Sequence, residues 1–539
     1  MSRLLLVFIA LAFCETLHAQ QLKLTYTRYV GGNDDDGAMD AIFNPIDKSI
    51  VFVGITGDSC GTGDIPPCPP VYGQGDLVFG KIDSNRNVVW MKQFGGTHYE
   101  VGKSVKMTRD SGYIVLANAS SVNGDVVGLH GSSDAWLLKF DKAGSLQWKN
   151  CYGSGFQEVA FNCIQTGDGG YLLITTSNGS GGDVPFQYIN SQFTTDWLLL
   201  KTDSLGNKQW SKTLGGTGGE GAASVLQVGN RYYVAGSSTS DDHYCTDDSW
   251  HPGVNTGEDF FLICLDSNGD YLWNRSFGGS LPDQFDEALF DERDSSIVMV
   301  GHTYSRNFMV PTSPGPRQDV LVVKANLSGS LVWCKVYGDS STNEWRTYIR
   351  RSPIANGYLV TTRVDNVPAL LPYYGGGSDV RLFMLDSTGN IIAEKVLGGS
   401  LFEHESIPVA LDKGFVVLGS TNSPQFGEGI TSPAHSANYE TPVSYLEFWG
   451  LGMETEVSDG RTPRVFPNPA SNRVTVQFDG SPATGVLRFL TTTGQIVHQR
   501  GISAETRVLV DTESWARGWY LVHWTERSGA VGTEQLILK

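Results

Sequence analysis

Several signatures of a familiar chemistry are missing from this chain of 539 residues. It holds no G-x-S-x-G, no H-E-x-x-H and no Cys/His spacing of a metal site, and its 10 His residues are scattered. No nucleophile elbow, zincin helix or zinc ribbon can therefore be read from it. It also lacks a basic cluster: 39 Lys and Arg stand against 57 Asp and Glu, a formal charge of −18. That balance argues against nucleic acid and against anionic membrane surfaces as partners, and its plain consequence is solubility. Helical periodicity is hardly sustained anywhere. Beyond the first twenty residues no apolar run is long enough to cross a membrane, so no transmembrane segment is expected.

The one long apolar run stands at the start, in "MSRLLLVFIALAFCETLHAQ". Arg3, the stretch Leu4 to Phe13 and the small Ala19 make residues 1–19 an expected export signal, too short for an anchor and followed by polar sequence. Phe13 is bulky where a lipoprotein signal places a small residue before its cysteine, so Cys14 is not read as lipidated. Seven cysteines would remain in the exported chain. Cys60 and Cys68, in the Pro/Gly loop "CGTGDIPPC", are the candidate disulfide of an oxidising compartment. Cys245 sits in a corresponding loop further on. Cys151, Cys163, Cys264 and Cys334 fall on predicted strands and are read as small apolar filler.

What is present in abundance is repetition. A cassette of twenty-one residues, such as "DWLLLKTDSLGNKQWSKTLGG" from Asp196, begins also at Asp76, Asp134, Asp259, Asp319 and Asp379. Seven residues on stand Asp83, Asp141, Asp203, Asp266, Asn326 and Asp386. Seven further stand Trp90, Trp148, Trp210, Trp273 and Trp333, with Ala393 as the exception. Each cassette reads as a β-hairpin, an apolar run, an Asp-x-x-Gly turn and a second run holding the Trp. Only Arg86 departs from the turn Gly. The apolar runs do not alternate with polar residues, so both faces are expected to be covered, with the Trp filling the gap between adjacent sheets.

Two further strand candidates lie between cassettes, for example "GKSVKMT" and "GYIVLANAS". Four short antiparallel strands per unit of about 60 residues predict an all-β fold, a seven-bladed β-propeller over residues 20–451. Tandem immunoglobulin-like sandwiches would need about 100 residues and seven strands each. Six cassettes leave a half unit at each end. "LKLTYTRYVGG" has Tyr26 in the Trp position, and "VSYLEFWGL" resembles a first hairpin strand. Pairing of Leu22–Val30 with Val443–Leu451 would complete the seventh blade and cover an open sheet edge.

Other motifs are absorbed by the repeat. "GTGGEG" from Gly216 and "GGTHYEVGKS", which holds Lys103, imitate nucleotide loops, but each leads into a predicted strand and marks a repeat junction. Acidic residues recur after the Gly pair as Glu100, Glu158, Glu220, Glu344 and Glu405, with Asp34 to Asp36 in the first unit, and are read as acceptors for backbone N–H groups at a repeated turn. Asp64, Asp125 and Asp183, in "GDI" and two "GDV" loops, carry the same turn reading. Calcium is the sharper alternative and the only cofactor the sequence admits. No catalytic residue is assigned.

The last eighty residues differ. After a polar linker at 452–463 come "FPNPASNRVTV" from Phe466, "TGQIV" from Thr493, "WARGWYLV" from Trp515 and a terminal "QLILK". Over residues 464–539 this resembles the type A C-terminal sorting domain of type IX secretion, with Pro467, Asn468, Pro469, Gly494, Gly518, Tyr520 and Lys539 on its motifs. Trp515 stands where that family usually has Leu. The resemblance implies a small β-sandwich, passage across the outer membrane, the secretion machinery as partner, and a final location outside the cell or on its surface. The residues alone give alternating strands "RVTVQF" and "WYLVHW" after a rigid Pro-Asn-Pro entry. The function expected is a secreted binding or scaffolding module for an extracellular glycan or protein. The alternative is an extracellular hydrolase or lyase acting on polysaccharide or protein, with a site assembled from several blades.

Overall fold

The computed structural model describes residues 21–57, 61–67, 72–188, 194–246, 257–311, 317–339, 341–352, 356–365, 377–412, 414–423, 430–431, 438–449, 463–466, 470–478, 483–491, 496–526 and 531–538. The expected export signal, Cys60, Cys68 and the linker up to residue 462 fall outside them. The chain divides into two compact units, Leu24–Glu447 and one holding the C-terminal segment from Phe448.

The larger unit is built from seven sheets. The first runs Gly37–Asn44, Ser49–Thr56, Asp76–Ile82 and Val88–Phe94, each strand antiparallel to the next. Five more four-stranded sheets repeat this in chain order, beginning at Glu100, Glu158, Glu220, Asp283 and Asn343. The seventh orders its strands as Glu403–Ala410, Phe415–Thr421, Thr441–Trp449 and Gln21–Val30, with the short Ile430–Thr431 outside. First strands of successive sheets touch all the way round, and Glu403–Ala410 returns to Gly37–Asn44. The array is thus a closed ring of sheets, a propeller architecture. Its closure is made by the expected strands: Thr25 Oγ1 donates to the Tyr445 carbonyl at 3.0 Å, and the Thr27 and Ser444 hydroxyls meet at 3.0 Å.

The cassette's first run is the third strand of each sheet. In Asp76–Ile82, Asp134–Phe140, Asp196–Thr202 and Asp259–Leu265 every residue is buried, which is why these runs carry no polar alternation. Each fully buried Leu or Val there contributes roughly 1.5–3 kcal/mol of apolar transfer. The cassette Trp lies on the outer fourth strand, half-buried, and covers the hairpin turn of the next sheet. Trp90 lies over Gly144, Trp148 over Gly206, Trp210 over Gly269, Trp273 over Gly329 and Trp333 over Gly389. A Cβ at any of the first four glycines would strike the indole, and at Gly389 it would press on Trp333 at 3.2 Å.

The C-terminal unit is a pair of sheets. One holds Pro463–Phe466, Arg473–Phe478 and Arg507–Asp511; the other holds Ala483–Thr491, Ile496–Glu505, Gly518–Glu526 and Val531–Leu538. Alternate residues Val474, Val476 and Phe478 meet Leu487, Phe489, Val522 and Trp524 in a shared core. Trp515 packs on that core, with ring centroids 5.2 Å from Phe489 and 5.4 Å from Tyr520.

Candidate functional site

The loops between second and third strands, and the turns joining one sheet to the next, share one end of the ring. Buried carboxyl groups stitch this end together. The first Asp of each cassette faces an acidic residue at or beside the start of the next sheet's first strand, so that Asp134 meets Glu158, Asp196 meets Glu220, Asp259 meets Asp283 and Asp379 meets Glu403. The cassette's Gly sits on the pair: a Cβ at Gly153 or Gly278 would strike carboxylate oxygens of both partners. Local donors hold the acidic side chain. Glu100 accepts from the Gly96, Ser120 and Ser121 amides at 2.9, 3.1 and 2.9 Å. Glu403 accepts from Thr421 Oγ1 at 2.8 Å and Ser423 Oγ at 2.7 Å. The turn-acceptor role expected for the recurring acids is therefore seen, with one change of register. Glu403, not Glu405, occupies the position in the seventh sheet, Asp283 occupies it in the fifth and Asp36 in the first.

Burial disfavours the charged form of these groups and lifts their pKa values. Glu403 and Asp379 are pushed up to about 7, and Asp36 to about 6. In two of the pairs, burial and then the neighbouring carboxylate raise Glu220 beside Asp196 and Asp259 beside Asp283.

The channel through the ring is lined by the first strands, each carrying a bulge at the same level. The unmatched residues are Met39, Lys103, Phe161, Gly221 with Ala222, Asp286, Arg346 with Thr347, and His404 with Glu405. A bulge turns side chains away from the regular pleat. Beneath this level Arg350 bonds Glu287 at 2.6 Å and Asp40 at 3.1 Å, and Lys106 bonds Asp40 at 2.8 Å. Sheets six and one do not adjoin, so the Arg350–Asp40 contact crosses the channel. At the bulge level Glu405 takes Arg346 and the Tyr348 hydroxyl, the latter at 2.7 Å. Asp286 takes His302 Nδ1 at 3.1 Å and the Thr347 amide at 2.8 Å. Four carboxylates converge here, and each is matched by a cationic or imidazole partner.

Asp64, Asp125 and Asp183 are not brought together; they lie in three different sheets. Each amide donates to the carbonyl of a preceding repeat glycine, Gly31, Gly95 or Gly153, at 2.7–2.8 Å. Each carboxylate pairs with a cation, Arg28 at 3.3 Å, Lys149 at 3.1 Å and Lys208 at 2.5 Å. Among the described residues no group of three or more His, Cys, Asp or Glu is placed to hold a metal ion. Cys151, Cys163, Cys245, Cys264 and Cys334 are unpaired, and burial pushes the Cys163 thiol up to about 12. Of the sorting-motif residues, Tyr520 donates its hydroxyl to the Ala516 carbonyl at 2.6 Å, and Gly518 has φ +145°. Pro467, Asn468, Pro469, Gly494 and Lys539 lie outside the described residues.

The turns that join the sheets also expose large apolar side chains. Tyr99 is 54%, Phe156 46%, Leu281 43% and Phe402 44% accessible, all one or two residues before the buried acid. Sequence reasoning passed over these, because a single aromatic in a Gly-rich turn carries no period. It also passed over the Lys at the sixth cassette position. Lys81, Lys139, Lys201 and Lys324 are buried and pair with Asp47, Asp110, Asp168 and Asp294 at 2.6–2.9 Å.

Residues 464–539 match the secretion system C-terminal sorting domain. The chain is therefore type IX cargo, exported to the cell surface or the extracellular space, and its C-terminal unit engages that machinery. No helix among the described residues is long and apolar enough to cross a membrane. The regulatory protein FlaEY of Caulobacter vibrioides is 30% identical over 226 residues, which is 40% of this chain and 23% of that protein. The chain thus spans about a quarter of that relative. Among solved structures, a protein of unknown function from Dyadobacter fermentans aligns over 79% of this chain and 99% of its own, with 12% identity and a TM-score of 0.41. A Bombyx mori GH32 β-fructofuranosidase aligns over 71% and 86%, with 11% identity and a TM-score of 0.29.

Proposed function

We propose that the ring is an extracellular binding module and that its ligand, a glycan or a protein, lies across the loop end. The observation that carries this is the set of exposed Tyr99, Phe156, Leu281 and Phe402, which stand on four of the seven inter-sheet turns. Exposed apolar groups held on stiff turns are what a contact surface needs, since little ordering entropy is lost on binding. The channel supports binding over hydrolysis. Its carboxylates are ion-paired or bonded to backbone amides, whereas a general acid and base pair needs carboxyl groups free to exchange protons with a substrate.

The test is a screen of the exported protein on glycan and protein arrays, repeated with Tyr99→Ser, Phe156→Ser and Phe402→Ser combined. Binding should be lost in the triple variant while its thermal midpoint stays within a few degrees. Turnover of an arrayed ligand, or unchanged binding by the triple variant, would count against the proposal.

A further inference from the structure

Lys103 is the one bulge-level charge in the channel to which the described residues offer no hydrogen-bond or ion-pair partner. It is half-buried on the first strand of the second sheet, and it is the extra residue between Gly102 and Ser104 in the pairing with the second strand. Burial, then the positive charge of Arg346, holds its amine below the ordinary lysine value. Arg346 belongs to the sixth sheet, which does not adjoin the second, so the two cations face one another across the open channel. Arg346 has φ +51°, a left-handed conformation that costs a non-glycine residue about 1 kcal/mol, and its side chain is 60% exposed. One of its nitrogens reaches Glu405. The guanidinium has further donors, and planar donors of this kind suit two-point contact with an oxyanion.

Every other charge at this level is compensated. Asp286 and Glu405 have their partners, and beneath them Arg350, Glu287, Asp40 and Lys106 compensate one another in an ion network that crosses the channel. A half-buried ammonium without a counter-charge, facing a second cation, is electrostatically costly unless something negative enters between them. Lys103 and Arg346 are each the fourth residue of a first strand, so they lie near the loop end and are reached from it first.

We propose that the channel mouth between Lys103 and Arg346 is a binding site for a compact oxyanion, a carboxylate or sulfate group carried by the ligand of the loop face. Lys103 would supply a point charge and Arg346 a planar pair of donors, fixing the acidic group while the exposed aromatics contact the remainder. The remainder of the ligand rests on the binding-module reading. The anion site is tested without that ligand, so the two can fail separately.

The experiment uses the full exported chain and sodium sulfate or sodium glucuronate as probe, at constant ionic strength. Calorimetric titration should give one saturable site, and the thermal midpoint should rise with probe concentration. Lys103→Met should weaken binding tenfold or more, about the effect of losing one charge-assisted hydrogen bond. Without probe its midpoint should equal or exceed that of the natural protein, because an uncompensated charge has been removed. Arg346→Gln should also weaken binding and serves if the first variant does not fold. No saturable binding by the natural protein, or unchanged affinity in both variants, would overturn the proposal.

Discussion

The guanidinium of Arg86 lies 4.7 Å from the ring centroid of Tyr26 and 4.8 Å from that of Tyr445. Arg86 is the cassette's one departure from the turn Gly, and it keeps a glycine-like φ of +70°. Tyr26 stands where a cassette has Trp. In every other sheet with such a turn an indole sits on a glycine; between the seventh sheet and the first, a phenol ring meets a guanidinium instead. The two exceptions are one exception, seen from both sides of the closure.

Arg86→Gly should destabilise the ring by about 1 kcal/mol, the loss of a cation–π contact offset by relief of a strained backbone. Combining it with Tyr26→Trp rebuilds the ordinary arrangement and should recover most of that loss. A double-mutant cycle in urea gives the coupling, and additive effects would show that the pair does not act together.

The buried acids make stability depend on pH in a definable direction. In the unfolded chain they ionise near pH 4, whereas Glu403, Asp379 and Glu344 fold with values near 7. Below about pH 4 these groups are neutral in both states and oppose nothing. Between about 4 and 7 the unfolded chain gains charge that the folded ring resists, so this stability is lost as pH rises. The thermal midpoint should therefore fall from pH 5 to pH 8. Glu403→Gln should flatten the decline. A flat profile in the natural protein would mean that the carboxyl groups ionise freely.

Trp210 covers Gly269 and is half-buried. Trp210→Ala should cost about 3 kcal/mol, the lower end for aromatic deletions because part of the ring is already in water. A denaturation midpoint unchanged in the variant would make the indole available as a ligand platform.

Ending the chain before Arg464 removes every strand of the C-terminal core from Arg473 onward. The ring should still fold, as protease resistance and circular dichroism would report, while the protein accumulates in the periplasm. Natural amounts at the surface would separate export from this domain.

Strict recurrence made the ring legible. Asp, Trp and Gly at fixed spacing located the third and fourth strands, and the half units Leu22–Val30 and Val443–Leu451 gave the closure. Ala393 was visible as an anomaly, and its cause was not. The next sheet joins its last two strands across the chain rather than by a hairpin, so no turn waits there for an indole to cover. The channel was not legible. Asp40, Lys106, Glu287 and Arg350 come from four strands up to 310 residues apart, and no local pattern records that they share a space. The seventh-sheet acid was misplaced by two residues because "EHE" offers both Glu403 and Glu405, and only the register of the strand chooses between them.

The closing strand imposes an order in time. Gln21–Val30 leaves the ribosome before the strands of the first six sheets, yet its partner Thr441–Trp449 follows some four hundred residues later. Until then the early strand lacks a sheet to join, and Gly37–Asn44 lacks the neighbour on its other side. Such distant pairing is slow, because loop-closure entropy must be met before the contact forms. The circle thus works as a length check: a product of interrupted synthesis keeps two raw edges, and only a chain that has reached Trp449 can hide them.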